Sequence, residues 1–289
     1  MAESGREERY RAAARVLRGR MVRRIVAGGG LTDPAWRAAF AEVPRHLFVL
    51  DYDRPEDAPD VRDGLRRLAG AYSDQPIATR VVGGELVSSS SQPSLMALMC
   101  EALDVGEGGR VLEIGAGTGY NAALLAHRLG PDTVTTVDLE PEITDAARAH
   151  LEAYGTPAAR SVAVVTGDGA LGHPPRAPYD RIMATCELPA IPPAWLEQVR
   201  PGGLALVPFA TGLVALTVHG PGRAEGRFLH TPAYFVPLRG ASASPDPVGH
   251  GFFRSGRADR VRYGLTVDGP RQWIWLDDPE GPDTWPVTG

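Results

Sequence analysis

The chain is expected to adopt an α/β fold: a doubly wound, mostly parallel sheet with an antiparallel last strand, N-terminal helices before it and a C-terminal β extension after it. Three observations lead there. From Arg110 onward short apolar strands alternate with amphipathic helices, the pattern of a parallel sheet covered on both faces. A glycine-rich loop, Gly115-Ala116-Gly117-Thr118-Gly119, falls between the first of those strands and the next helix. After Pro237 the composition shifts to Gly, Ser, Ala and Pro before a last pair of strand-like runs.

Along the chain, residues 7–27 carry Leu17, Met21 and Ile25 at helical spacing, and Gly28-Gly29-Gly30 ends that helix. Asp33-Pro34 opens a second helix as N-cap and first-turn proline. Residues 51–70, rich in Asp, Arg and Pro, read as a loop with room for a short helix, and 71–91 read as extended and polar. Pro93 starts a helix. Strands follow at 110–114, 133–137, 162–165, 181–184 and 204–209, with helices at 121–129, 141–154 (Gly155 as its stop) and 193–199. Residues 213–218 and 228–236 read as a final antiparallel pair, and 240–251 as a linker. Residues 261–267 and 272–276 form a hairpin around Asp268-Gly269-Pro270. These boundaries give a main domain over 1–239 (a helical, substrate-facing cap over 1–92 and the Rossmann-like core over 93–239) and an extension over 240–289.

Composition narrows the function. The 289 residues carry a net charge of −5 with no basic block, which gives no nucleic-acid footprint. Cys100 and Cys186 lack disulfide-framework or metal-ligand spacing, and the seven His are scattered, so no metal is expected. The N-terminus is polar and no run of 18 apolar residues occurs, so a cytoplasmic protein without a membrane span is expected.

The glycine loop reads Gly-x-Gly-x-Gly rather than the Gly-x-Gly-x-x-Gly of pyrophosphate binders, and Glu113 stands two residues before it. A carboxylate there suits a cationic ligand, and S-adenosyl-L-methionine carries an ammonium and a sulfonium. Asp138 ends the next strand, where an acid can accept both ribose hydroxyls. Gly167-Asp168-Gly169 follows the third strand, where Asp168 can reach an adenine amino group. Each piece alone is also what a tight turn or a helix cap looks like. Together, at the ends of successive strands, they point to a nucleoside site.

Ser88-Ser89-Ser90-Ser91-Gln92-Pro93 precedes a helix. Free N–H groups at a helix start favour an anion, and serine hydroxyls add donors; capping by Ser91 is the plainer reading. A substrate carboxylate, with a pKa near ~4, is already nucleophilic at neutral pH. It needs alignment rather than a base, and Ser91 is catalytic in that positioning sense.

The motifs resemble those of the protein-L-isoaspartate O-methyltransferases. The matching segments are Val43-Pro44-Arg45-His46-Leu47-Phe48-Val49, Ala71-Tyr72-Ser73-Asp74-Gln75-Pro76, Ser91-Gln92-Pro93, the glycine loop, Gly167-Asp168-Gly169, Pro178-Tyr179-Asp180-Arg181-Ile182, Pro201-Gly202-Gly203 and Phe235-Val236-Pro237-Leu238. The resemblance implies a class I methyltransferase fold that uses S-adenosyl-L-methionine and releases S-adenosyl-L-homocysteine. It implies Ser91 as the catalytic serine. It implies cofactor contacts at Ser88, Ser89, Ser90, Glu113, Gly115, Ala116, Gly117, Gly119, Asp138, Leu139, Gly167, Asp168 and Gly169, and substrate contacts at Arg45, Ser91 and Gln92.

Several positions depart from the repair enzymes. Ser89-Ser90 stands where Thr-Ile is usual, Phe209-Ala210-Thr211-Gly212 follows Val207-Pro208, and about fifty residues follow Leu238. Tyr263-Gly264-Leu265-Thr266-Val267 and Trp275-Leu276-Asp277 look like the tail of methyltransferases that mature ribosomal peptides beside ATP-grasp ligases (graspetides) or lanthipeptide enzymes. That resemblance implies methyl-ester formation on an Asp side chain of a precursor peptide, which the ligase can crosslink beforehand, followed by aspartimide closure. Repair of L-isoaspartyl residues is the alternative. The tail's aromatic residues pack on the sheet edge, form a dimer contact, or stand exposed and take up the peptide by strand addition.

Overall fold

Apolar residues three and four apart make the N-terminal region helical. The computed structural model describes residues 2–49, 61–240 and 259–287. Helix α1 (Ala2–Ala27) buries Met21, Val22 and Ile25. It stops where Gly29 turns to positive φ. In α2 (Pro34–Glu42) the Asp33 carboxylate accepts from the Ala35 N–H at 2.7 Å, the expected cap. Two short helices follow, α3 (His46–Val49) and α4 (Val61–Ala71), the latter within the stretch expected to be mainly loop. Residues 50–60 lie outside the described residues. The polar stretch after α4 is a hairpin, β1 (Ile77–Val82) and β2 (Glu85–Ser90), turned at Gly83-Gly84, both at positive φ. Helix α5 (Pro93–Ala102) then enters the core.

Strand and helix alternate from there: β3 (Val111–Ile114), α6 (Tyr120–Leu129), β4 (Val134–Asp138), α7 (Pro141–Tyr154), α8 (Pro157–Arg160), β5 (Ala163–Thr166), β6 (Tyr179–Ala184), α9 (Pro193–Gln198) and β7 (Val199–Phe209). Gly155, at φ 80°, closes α7 by donating to the Leu151 carbonyl at 3.1 Å. Antiparallel strands complete the sheet: β8 (Gly212–Gly220), β9 (Arg223–Pro232), β10 (Tyr263–Asp268), β11 (Arg271–Leu276) and β12 (Thr284–Pro286). The order is β12-β11-β10-β9-β8-β7-β6-β3-β4-β5, with β3 to β7 parallel. The winding reverses between β3 and β6, and a doubly wound sheet binds its ligand outside the strand ends at such a point.

The expected fold class is present, with one change of scale. The expected closing pair and terminal hairpin join, with β12, into one run of five antiparallel strands, because the hairpin pairs with β9 (Gly264 opposite Arg227) and continues the sheet. Its aromatics are not exposed. Trp275 is 2% exposed, and its ring lies over Gly264, where a Cβ would sit 2.1 Å from the ring. The indole N–H donates to Thr266 Oγ1 at 2.9 Å, and the Arg227 guanidinium stacks at 4.6 Å. Gln272 exchanges two 2.8 Å hydrogen bonds with the backbone of Ile191, in the loop after β6. Leu265, Val267 and Ile274 join the apolar core on the face that holds Val207, Val214 and Trp195. The described part of the extension, residues 259–287, therefore shares the sheet and the core of the main domain. The expected linker, residues 240–251, falls outside the described residues after Gly240.

Candidate active site

The loops after β3, β4, β5 and β6 converge at the switch point. In the glycine loop Gly115 sits at φ 99°, and a Cβ there would lie 2.4 Å from Thr185 Oγ1. The Thr185 hydroxyl donates to the Gly115 carbonyl at 2.9 Å and locks the loop to the end of β6. Gly117, at φ 49°, faces Ser88 and Ser89 of the hairpin. Asp138 ties the loop to β4: Oδ2 accepts from the Gly117 N–H at 3.1 Å and Oδ1 from the Leu139 N–H at 2.9 Å. Burial raises its pKa, opposed by those two N–H groups and by Arg239.

These residues wall a cleft between the hairpin (Val87–Ser89), the glycine loop, Asp138-Leu139 and a strap, Val236–Arg239. The strap is held by a bridge to Glu187, whose N–H donates to the Val236 carbonyl and whose carbonyl accepts from the Leu238 N–H, both at 2.8 Å. A smaller cavity adjoins it beneath Ser89, Ser90 and Ser91 and reaches Glu113, Ala116, Tyr120 and Asn121. Ser89, Gly115, Gly117 and Thr185 line both. Glu113 is wholly buried. Its Oε1 accepts from Asn121 Nδ2 at 2.7 Å, while Oε2 has no well-aligned donor among the described residues, although the Thr136 hydroxyl lies nearby. Burial pushes its pKa up to about 7, partly offset by Thr136 and Asn121. A buried carboxylate with an idle oxygen fits a cationic group entering the cavity. With Asp138 at the cleft wall, the donor set fits an aminoacyl nucleoside such as S-adenosyl-L-methionine.

The raised Glu113 pKa has a testable consequence. The folded protein holds this proton up to about pH 7, whereas the unfolded chain releases it near ~4.3. The cofactor-free protein therefore loses stability as pH rises between those values, by up to about 3 kcal/mol. Glu113→Gln is expected to raise the melting temperature of the cofactor-free protein at pH 8 and to weaken cofactor binding. Thermal melts at pH 5 and pH 8, with and without S-adenosyl-L-homocysteine, check it; equal melting of the two proteins at pH 8 would sink the argument.

Other expected site residues have different jobs. Arg45 is fully buried and lines neither cavity. Its guanidinium donates to the carbonyls of Ala71 (2.8 Å), Ser91 (3.1 Å), Gln75 (3.3 Å), Ser73 (3.4 Å) and Ser90 (3.4 Å), binding loop 71–75 to the serine run. The start of α5 is not a free anion site either. The Asp74 carboxylate already accepts from the Ser94 N–H at 2.9 Å and from Gln92 Nε2 at 3.2 Å. Gln92, not Ser91, is the N-cap, and its amide is held by Asp74 and Ser94.

Ser88 accepts from Thr79 Oγ1 at 2.9 Å across the hairpin, and Ser90 is buried beside Arg45. Gly119 lies behind the cleft, where its φ of 81° lets α6 approach Ala147 of α7. Of the turn after β5, Gly169 lines the cleft. Asp168 Oδ1 caps the turn by accepting from Ala170 N–H at 3.0 Å, and Gly167 N–H donates to the Asp138 carbonyl. Sequence reasoning missed Thr185, Asn121 and the strap as site residues. The Phe235-Val236-Pro237-Leu238 run carries the family resemblance, but its place along the cleft depends on the bridge to Glu187. Among the described residues no cluster of His, Cys, Asp and Glu could hold a metal ion, and no helix is long and apolar enough to cross a membrane.

Comparison with known proteins identifies the family. Residues 19–219 match the family described as protein-L-isoaspartate(D-aspartate) O-methyltransferase. Relatives named protein-L-isoaspartate O-methyltransferase include one from Methanopyrus kandleri, 38% identical over 81% of this chain and 96% of that protein. Another, from Anaeromyxobacter sp., is 41% identical over 76% of this chain and 94% of its own. A solved protein-L-isoaspartate O-methyltransferase superposes with a TM-score of 0.65 at 25% identity, covering 91% of this chain and 89% of the other. A putative one from Plasmodium falciparum, solved with S-adenosyl-L-homocysteine, shares the fold with a TM-score of 0.58 at 14% identity, covering 78% and 98%. The chain thus belongs to the protein-L-isoaspartate(D-aspartate) O-methyltransferase family, and by that membership is an S-adenosyl-L-methionine-dependent carboxyl O-methyltransferase.

Proposed function

We propose that this chain methylates the free carboxylate of L-isoaspartyl residues in peptides and proteins. The observation that carries the reading is the junction of two cavities at Ser89 and Thr185: a nucleoside cleft on one side and a hydroxyl-lined pocket under the serine run on the other. The names of relatives 36–41% identical to the chain support the acceptor. When bound, S-adenosyl-L-methionine supplies a methyl group on a positively charged sulfur. The chain's own residues do the rest. Asp138 accepts the ribose hydroxyls, the idle oxygen of Glu113 meets the ammonium, and the Ser89–Ser91 hydroxyls hold the acceptor carboxylate in line. The hairpin and strap keep water out. An ionised carboxylate needs no base, so alignment provides the acceleration.

A second reading is methylation of an Asp side chain in a ribosomally made precursor peptide, with ring closure to an aspartimide and an ATP-grasp ligase as partner. It is favoured by the chain after residue 219, which lies beyond the family match and whose described strands β9 to β12 extend the sheet. Mass spectrometry of the purified protein with S-adenosyl-L-methionine decides between them. A gain of one methyl group on a generic isoaspartyl peptide is expected. Gain only on a precursor encoded beside this chain, with or without ligase-made crosslinks, would replace the first reading with the second.

Ser91 has its own test. Ser91→Ala is expected to lower kcat roughly ten- to hundredfold, the worth of one hydrogen bond to a charged group. Affinity for S-adenosyl-L-homocysteine should stay within about twofold, since Ser91 lines the acceptor pocket and not the main cleft. Unchanged kcat would reduce Ser91 to a backbone anchor for Arg45.

A further inference from the structure

We propose that Glu140 is a positioning residue that clasps two separate covers over the cofactor cleft and thereby sets how fast the nucleoside leaves. Glu140 stands two residues after Asp138, in the turn between β4 and α7. Its carboxylate forms an ion pair with Arg80 Nε at 2.8 Å and takes a close charged hydrogen bond from Arg239 Nη1. Arg80 belongs to β1, and its hairpin partner β2 carries Ser88 and Ser89 along one wall of the cleft. Arg239 ends the strap that forms the opposite wall. One carboxylate therefore joins the hairpin to the strap beside the residue that meets the ribose.

The two covers have few other ties to the floor on that side. The hairpin is an isolated two-stranded sheet, a unit of marginal stability in water. Among the described residues its ties to the body are Ile77 packed on the core, the Ser90 carbonyl on Arg45, and the Arg80 pair. The strap is fixed at Glu187, by Leu238 against Gly169 and by Arg239. A nucleoside bound against Gly117 and Asp138 lies between these pieces, so how firmly the hairpin and strap are held together bears on how fast it leaves.

The side chains are 34% exposed for both arginines and 21% for Glu140. That is buried enough for the pairs to matter and open enough for salt to reach them. Glu142 lies 4.0 Å from Arg80 and offers a weaker second anchor. The inference rests on the cleft being the cofactor site and adds to that reading which residue governs retention.

The test is the dissociation rate of S-adenosyl-L-homocysteine from the full chain, followed by stopped-flow displacement at low salt and at ~0.5 M salt. In the unaltered protein, release should quicken several-fold with salt. Glu140→Gln should release roughly five- to twentyfold faster at low salt, with little further response to salt, because two ion pairs are lost together. The Arg80→Gln/Arg239→Gln double variant should match it, and adding Glu140→Gln to that pair should change nothing more. Unchanged release in Glu140→Gln, or the same salt response in all variants, overturns the clasp while leaving the cofactor site standing. No binding of S-adenosyl-L-homocysteine to the unaltered protein overturns both.

Discussion

Replacing Asp138 with alanine is expected to lower affinity for S-adenosyl-L-homocysteine by one to two orders of magnitude. The carboxylate is the hinge of the cofactor cleft. It receives the Gly117 and Leu139 N–H groups and lines the cleft. Hydrogen bonds to a charged group contribute about 1.5–3 kcal/mol, and the variant also frees the glycine loop from β4. Isothermal titration measures the loss directly. A melting scan gives an independent reading, since ligand at 100 times Kd stabilises a protein by about 2.7 kcal/mol and a weak binder forfeits most of that. Because burial raises the Asp138 pKa, affinity in the unaltered protein should begin to fall at a higher pH than for an ordinary aspartate as the solution is acidified. Wild-type affinity in Asp138→Ala would mean the cleft binds its ligand another way.

Arg45→Ala is expected to be the most destabilising single change in the cap, by about 3–5 kcal/mol. Arg45 is fully buried, and burial lowers its pKa against the opposing influence of Tyr120, Asp74 and Tyr72. Removing it leaves the carbonyls of residues 71, 73, 75, 90 and 91 without their donor, and an unsatisfied buried acceptor costs about 1–3 kcal/mol. Such a loss is a large share of a typical 5–15 kcal/mol margin and corresponds to a Tm lower by about 10 °C. Turnover should fall as well, because the backbone of Ser90 and Ser91 loses its anchor. Arg45→Lys should recover only part of the stability, since an ammonium cannot span the fork of acceptors that the guanidinium reaches. Urea unfolding of the three proteins tests this, and an Arg45→Ala protein as stable as the parent would contradict it.

Arg45 also shows why some of the site could not be read in advance. The family resemblance implies substrate contact at Arg45. Its true partners are carbonyls brought together from positions 71 to 91, which nothing in local spacing reveals. The start of α5 is a similar case. A helix N-terminus after four serines looks like an anion site, yet Asp74, eighteen residues before Gln92, had already filled it. Gly119 and Asp168 were visible as residues of the right type, but their packing against Ala147 and their capping of Ala170 depend on where α7 and the turn after β5 come to rest.

By itself the sequence determined what short-range physics controls. Glycines at Gly115 and Gly117, acids at Glu113 and Asp138, caps at Asp33 and Gly155 and the alternation of strand and helix are all local; the fold follows from them, and Gly115, Gly117 and Asp138 line its main cleft. The tertiary structure decided what depends on contacts between distant segments. It placed the terminal hairpin on β9 with Trp275 buried against Gly264, closed the strap over the cleft, and brought Arg80 and Arg239 to Glu140. The physical reason is that backbone periodicity and turn chemistry are set by neighbours a few residues apart. Burial, ion pairing and the sharing of one guanidinium among five carbonyls are set by chain closure over tens to a hundred residues.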